Sequence, residues 1–156
     1  MKVFISHQQQ DGNVAKFVYD QFHQYGIEAY LDAFDNQLSS DSKALTEHLK
    51  DIMRKSTDIL VVMSYNTVKS WWVPFEIGMA ANQDLPTVTY LQDNTELPEY
   101  LDYWPCLKSI YDIPKYIQAH RQVVQNSLQS QESTNFSRNY VYENTQKFYN
   151  RLKEML

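Results

Sequence analysis

The chain has 156 residues, 43% apolar and 14% aromatic, with 12 tyrosines and a formal net charge of -5. A chain of this length holds one domain with a buried core, and its apolar content excludes a disordered protein. No run of Lys and Arg exceeds a pair, so there is no phosphate-tracking surface and nucleic acid is not an expected partner.

In chain order, Val3 to Ser6 form a short apolar run that reads as a buried strand, and "SHQQQDGN" after it reads as a polar loop. From Asn13, Val14, Val18, Phe22 and Tyr25 recur at helical spacing, and Gly26 is placed to stop that helix. "IEAYL" (27–31) reads as a second strand, followed by the polar loop "DAFDNQLSSDS". A second helix carries Leu45, Leu49, Ile52 and Met53 on one face. "DILVVMS" (58–64) is a continuous β-branched and apolar run, as expected of a strand buried on both faces.

"SWWVPFEIGMAAN" (70–82) reads as a helix entered at Trp71–Pro74. Proline is tolerated only in a first turn, which predicts a helix start close to Pro74 and puts Glu76 in the opening turn. "PTVTYLQ" (86–92) is a fourth strand and "CLKSIYD" (106–112) a short fifth. This alternation predicts an α/β fold: a flavodoxin-like open parallel sheet with helices on both faces and ligands beyond the carboxyl ends of the strands. After Pro114 the chain reads as helix to about Leu128, then a polar stretch (129–139). The last segment carries Val141, Phe148, Leu152 and Met155 on one stripe, with Tyr142, Tyr149 and Leu156 beside it. The domain is therefore read as 1–128, and 129–156 as a polar loop and an amphipathic helix, either packed on the domain or at an oligomer contact.

Several chemistries are argued against. The chain has three glycines, Gly12, Gly26 and Gly78, and neither G-x-G-x-x-G nor a P-loop, so no glycine-rich turn holds a pyrophosphate. The lone Cys106 rules out an intramolecular disulfide framework and fits a reducing cytosol. Cys106 and the four histidines lack metal-ligand spacing, so no metal is expected. The N-terminus turns polar at once and no apolar run approaches a membrane span, so neither a signal peptide nor an anchor is read and the expected location is cytoplasmic.

Candidate site residues lie at the predicted carboxyl strand ends. Ser6, His7 and Gln8 follow the first strand; they are either a plain polar loop or part of a ligand cleft. Asp32 follows the second strand, with Phe34 nearby as a possible stacking ring. Trp72 and Glu76 are four residues apart, so on a helix they share one face. Spacing alone leaves Glu76 open between an acid favoured near a helix N-terminus and a carboxylate raised in pKa by aromatic burial.

The motif order goes further. "KVFISH…D", G-x-x-x-x-L-D from Gly26 to Asp32, "DILVVMS" and S-x-W-x-x-x-E-I (Ser70, Trp72, Glu76, Ile77) together resemble the TIR (Toll/interleukin-1 receptor) domain over roughly residues 2–112. The short form is similar to TIR proteins of Thoeris antiphage systems. The resemblance implies an NAD⁺ glycohydrolase or ADP-ribosyl cyclase that cleaves the nicotinamide–ribose bond, with Glu76 catalytic and Trp72 its partner. His7, Gln8 and the loop after Asp32 would line the substrate cleft, joining Ser6, Asp32 and Phe34 as candidate substrate contacts. NAD⁺ would be substrate, and no cofactor is expected. The resemblance also implies self-association through TIR–TIR contacts. With no fused sensor visible, a separate effector reading a diffusible product is the expected partner. The competing reading is a non-enzymatic TIR interaction module; a deoxyribosyltransferase-like enzyme of similar fold fits the motif order less well. In the loop after the second strand, "LSS" (38–40) stands where the family commonly carries Pro-Gly or Gly. Serine rarely adopts the backbone angles glycine allows, so that loop's shape does not carry over.

Overall fold

The structure is a computed structural model, and it describes residues 1–31, 42–92, 95–129 and 138–156. Five strands, β1 (Lys2–Ser6), β2 (Glu28–Leu31), β3 (Asp58–Met63), β4 (Thr87–Leu91) and β5 (Cys106–Leu107), form one all-parallel sheet in the order β2-β1-β3-β4-β5. Among the described residues, five α-helices connect or extend it: α1 (Gly12–Gln24), α2 (Ser42–Lys55), α3 (Trp72–Asn82), α4 (Asp112–Gln129) and α5 (Arg138–Met155). This is the expected flavodoxin-like architecture with extra C-terminal helices.

Strand alternation decides which helix meets which face. Val3 and Ile5 of β1, with Leu60 and Val62 of β3, point to the side covered by α1, α4 and α5. Phe4, Ile59, Val61 and Met63 point to the side covered by α2 and α3. Every residue of β3 is buried, which is why its sequence is apolar on both faces rather than alternating. The helix stripes match: Val18 and Phe22 on α1, Leu49 and Met53 on α2, and Val73, Ile77 and Ala80 on α3 are buried. On α5, Phe148, Tyr149 and Leu152 are buried against α4 and the sheet, whereas Val141 and Tyr142 are exposed. The Tyr149 hydroxyl also accepts the Thr87 amide at 2.8 Å, and burial pushes its pKa up to about 12.

Punctuation is local. Gly26 sits at φ +69, a left-handed turn that glycine enters without steric cost, and the chain passes directly into β2. The fifth strand is shorter than the run 106–112 suggests. After Leu107, the Asp112 carboxylate accepts the Lys108 and Ser109 amides, both at 3.0 Å, and this turns the chain out of the sheet and into α4. Pro114 lies in the first turn of α4, where a missing N–H costs nothing, so that helix starts two residues earlier than Pro114 itself. Among the described residues, no helix is long and apolar enough to cross a membrane.

Candidate functional site

In this strand order the chain leaves β1 for β2 on one side and reaches β3 on the other, so the carboxyl ends of β1 and β3 form the switch point at which such folds bind ligands. Ser6 is the last residue of β1. It shares a face with Phe4, two residues earlier, which packs on the α2/α3 side. Its side chain therefore meets α3, and Ser6 Oγ donates to Glu76 Oε2 at 2.5 Å. Both residues are 0% exposed. A carboxylate wholly removed from water on this edge is held in one orientation by a hydroxyl placed by the strand.

The start of α3 differs from the expectation built on Pro74. The Ser70 hydroxyl accepts the Trp72 and Val73 amides, each at 3.2 Å, so the helix begins at Trp72 and Pro74 is its third residue. Proline fits anywhere in a first turn, because no amide there has an intrahelical partner. Glu76 is consequently the fifth residue, past the opening turn, where the influence of the helix terminus has fallen away. The dipole is thus not what keeps this carboxylate in place; burial and Ser6 define its surroundings. Trp72 does stand at the helix entrance, half-buried one turn before Glu76, with its ring 5.2 Å from that of Phe75.

His7 continues from Ser6 and is 8% exposed, with its Nδ1 buried and without a hydrogen-bond partner among the described residues. Gln8 has a local job: its Oε1 accepts the Gln9 amide at 3.2 Å and starts a 3₁₀ turn that leads into α1. The structure thus gathers Ser6, His7, Trp72 and Glu76 around one strand end, and leaves Gln8 on the adjoining turn. Asp32, Phe34 and the "LSS" segment lie outside the described residues.

Sequence reasoning passed over the support beneath this site. Asp11 is buried, and its carboxylate accepts from Ser64 Oγ at 2.6 Å, Thr67 Oγ1 at 3.0 Å and Asn66 Nδ2 at 3.0 Å. It ties the loop after β1 to the loop after β3 at the switch point. The signal was present as the Asp of "KVFISH…D", but an acid in a polar loop carries no sign of burial. Beyond that tie the surface turns aromatic: Tyr65, Val68 and Phe75 are exposed, and Trp71 is 94% exposed. The Lys69 ammonium donates to the Tyr65 hydroxyl at 2.7 Å and holds its pKa below the usual phenol value.

A doubly wound domain with a buried carboxylate at its switch point is the class that fold and site define. A family model for the TIR domain matches residues 3–103, and the chain belongs to that family. Helices α4 and α5 lie beyond the matched region. Among solved structures, the chain is similar to the TIR domain of the Toll-related receptor TRR-2 from Hydra magnipapillata, at 18% identity and TM-score 0.56, covering 67% of this chain and 81% of that one. A weaker likeness is to the TIR domains of the activated Roq1 resistosome recognising the effector XopQ, at 16% identity and TM-score 0.49, covering 97% of this chain and 83% of that one. No curated protein matches the chain. At 18% identity the Hydra structure speaks to the fold alone.

Proposed function

We propose that this TIR domain cleaves the nicotinamide–ribose bond of NAD⁺, as a glycohydrolase or ADP-ribosyl cyclase. The observation that carries the reading is Glu76: a fully buried carboxylate, oriented by Ser6, at the strand end where this fold places ligands. Nicotinamide is a cationic leaving group, so the C–N bond breaks with its electron pair passing to the ring nitrogen and no acid is required. One carboxylate then suffices, unlike the paired acids of common glycosidases. Glu76 would accept a hydrogen bond from a ribose hydroxyl and stabilise positive charge developing at the anomeric carbon. Trp72 would pack on the substrate, and His7, Asp32 and Phe34 would complete the cleft. Water attack gives ADP-ribose and a proton; attack by an adenine ring nitrogen gives a cyclic product. The product would act as a signal, read by a separate effector, in antiphage defence of the Thoeris kind.

The test is incubation of the concentrated protein with NAD⁺, alone and with phage-infected lysate, with products read by mass spectrometry. Nicotinamide release that disappears in Glu76→Gln is expected. Its absence under every one of these conditions would sink the enzymatic reading.

A second reading has its own observation. Trp71 is 94% exposed beside exposed Tyr65, Val68 and Phe75, a surface suited to TIR–TIR contact. If association is the whole function, Trp71→Ser abolishes self-association in sedimentation while Glu76→Gln changes nothing in the cell.

A further inference from the structure

At the amino-terminal edge of the sheet, opposite Glu76, a cavity of about 360 Å³ opens between the starts of β3 and β4 and the pair α4 and α5. That size suits a small molecule rather than a protein segment. Its apolar wall is built by Val123 and Val124 of α4 and by Val141 and Phe148 of α5. Four polar residues share the lining, Thr57, His120, Asn144 and Thr145, and the Thr57 hydroxyl is already turned to Asp58. Asn144 Oδ1 already accepts from Ser127 Oγ at 3.0 Å, so what this residue has to offer is its amide donors.

Behind His120 lies a buried carboxylate. His120 Nε2 stands 3.4 Å from Asp58 Oδ2, and the Thr57 hydroxyl donates to that same oxygen. Asp58 is 0% exposed, and the buried Tyr116 hydroxyl lies against it from the core side. The contact commits Nε2 to the Asp58 side, and the ring's second nitrogen is what remains for an incoming group. An apolar wall with one aromatic ring, closed by a few convergent polar groups, is the usual composition of a ligand pocket.

We propose that this cavity is a second ligand site, for a ring-sized apolar molecule ending in a carbonyl acceptor, an aromatic amide or carboxylate. The ring packs between Val123, Val141 and Phe148. The carbonyl oxygen accepts from Asn144, and the rest of the head group meets His120. Nothing in this site depends on the chemistry at Glu76.

The probes are benzamide and benzoate, with toluene and benzylamine as controls, titrated into the ¹⁵N-labelled full chain and followed by amide shifts. At least one carbonyl probe should give saturable shifts confined to residues 120–124 and 141–148, with an affinity on the order of millimolar. Val141→Trp, a change at an exposed position that fills the cavity, should abolish those shifts. Asn144→Leu should weaken the carbonyl probe at least about fivefold and leave toluene unaffected. Failure of both carbonyl probes to shift these amides overturns the site, as does binding that survives Val141→Trp. Equal binding of toluene or benzylamine overturns the assigned head group.

Discussion

Glu76 and Asp58 are both fully buried carboxylates, at opposite ends of one sheet. Glu76 meets a strand-end hydroxyl at the switch point between β1 and β3. Asp58 begins the central strand, between the Thr57 hydroxyl, His120 and the buried Tyr116. The Tyr116 hydroxyl is pushed well above its ordinary pKa, by burial first and by the Asp58 charge second. Burial of an acid is therefore no mark of catalysis by itself. What separates the two is the edge they occupy: Glu76 stands at the carboxyl ends, where a doubly wound fold places its ligands, whereas Asp58 stands at the amino ends, behind His120 and beneath α4.

The sharpest way to break this contrast is to remove each charge in turn. Glu76→Gln should lower nicotinamide release by about a thousandfold or more and leave the melting temperature within a few degrees of the parent. Asp58→Ala should do the reverse. Removing one member of a buried polar cluster costs about 3 kcal/mol, or a fall in Tm of roughly 6–12 °C for a domain of this size, with kcat per folded molecule retained. Parallel turnover and urea-unfolding measurements decide it. Loss of activity in folded Asp58→Ala would join the two ends into one functional unit.

The sequence was legible where one periodicity carried the message. The β3 run, the stripes of α1 and α2 and the parallel order all follow from apolar spacing, and Gly26 ended a helix where expected. Glu76 stood out as a candidate only through the order of motifs around it, since four-residue spacing to Trp72 fits a cap as well as a site. Its place in the second turn was not legible, because proline marks the first turn without saying which residue of it, and Ser70 made that choice through its hydroxyl. Asp11 and Asp58 were invisible as buried acids. The partners of Asp11 come from a segment more than fifty residues away, and Asp58, besides its neighbour Thr57, meets His120 of α4. The two-residue β5 was overextended because Asp112 redirects the chain through backbone amides that no periodicity reveals.

A subtler prediction concerns Ser6. If its hydroxyl positions Glu76 rather than touching the reacting atoms, Ser6→Ala should lower kcat about tenfold, the value of one hydrogen bond, with little change in KM. Ser6→Thr, which keeps the hydroxyl, should recover part of the loss. A rise in KM at constant kcat would instead make Ser6 a substrate contact.

The smallest effect tests the helix that links the two ends. Helix α4 starts at Asp112 beside the strand termini and carries His120 to the opposite edge. Burial pushes the Asp112 carboxyl up, but the Lys115 ammonium at 2.8 Å and the Lys108 and Ser109 amides outweigh it and hold the pKa below the usual value. A carboxyl whose folded pKa is depressed stabilises the fold above its unfolded value, about 3.9, and that contribution is lost as pH falls through the folded value. Asp112→Asn should thus lower Tm by about 2–4 °C at pH 7, the effect of about 1 kcal/mol, and the gap to the parent should close as acid protonates the parent's own carboxyl. Thermal melts of both proteins between neutral pH and about pH 2.5 measure the closure. A gap that stays constant would mean that Asp112 acts through packing alone, and that the acid sensitivity of the fold arises elsewhere.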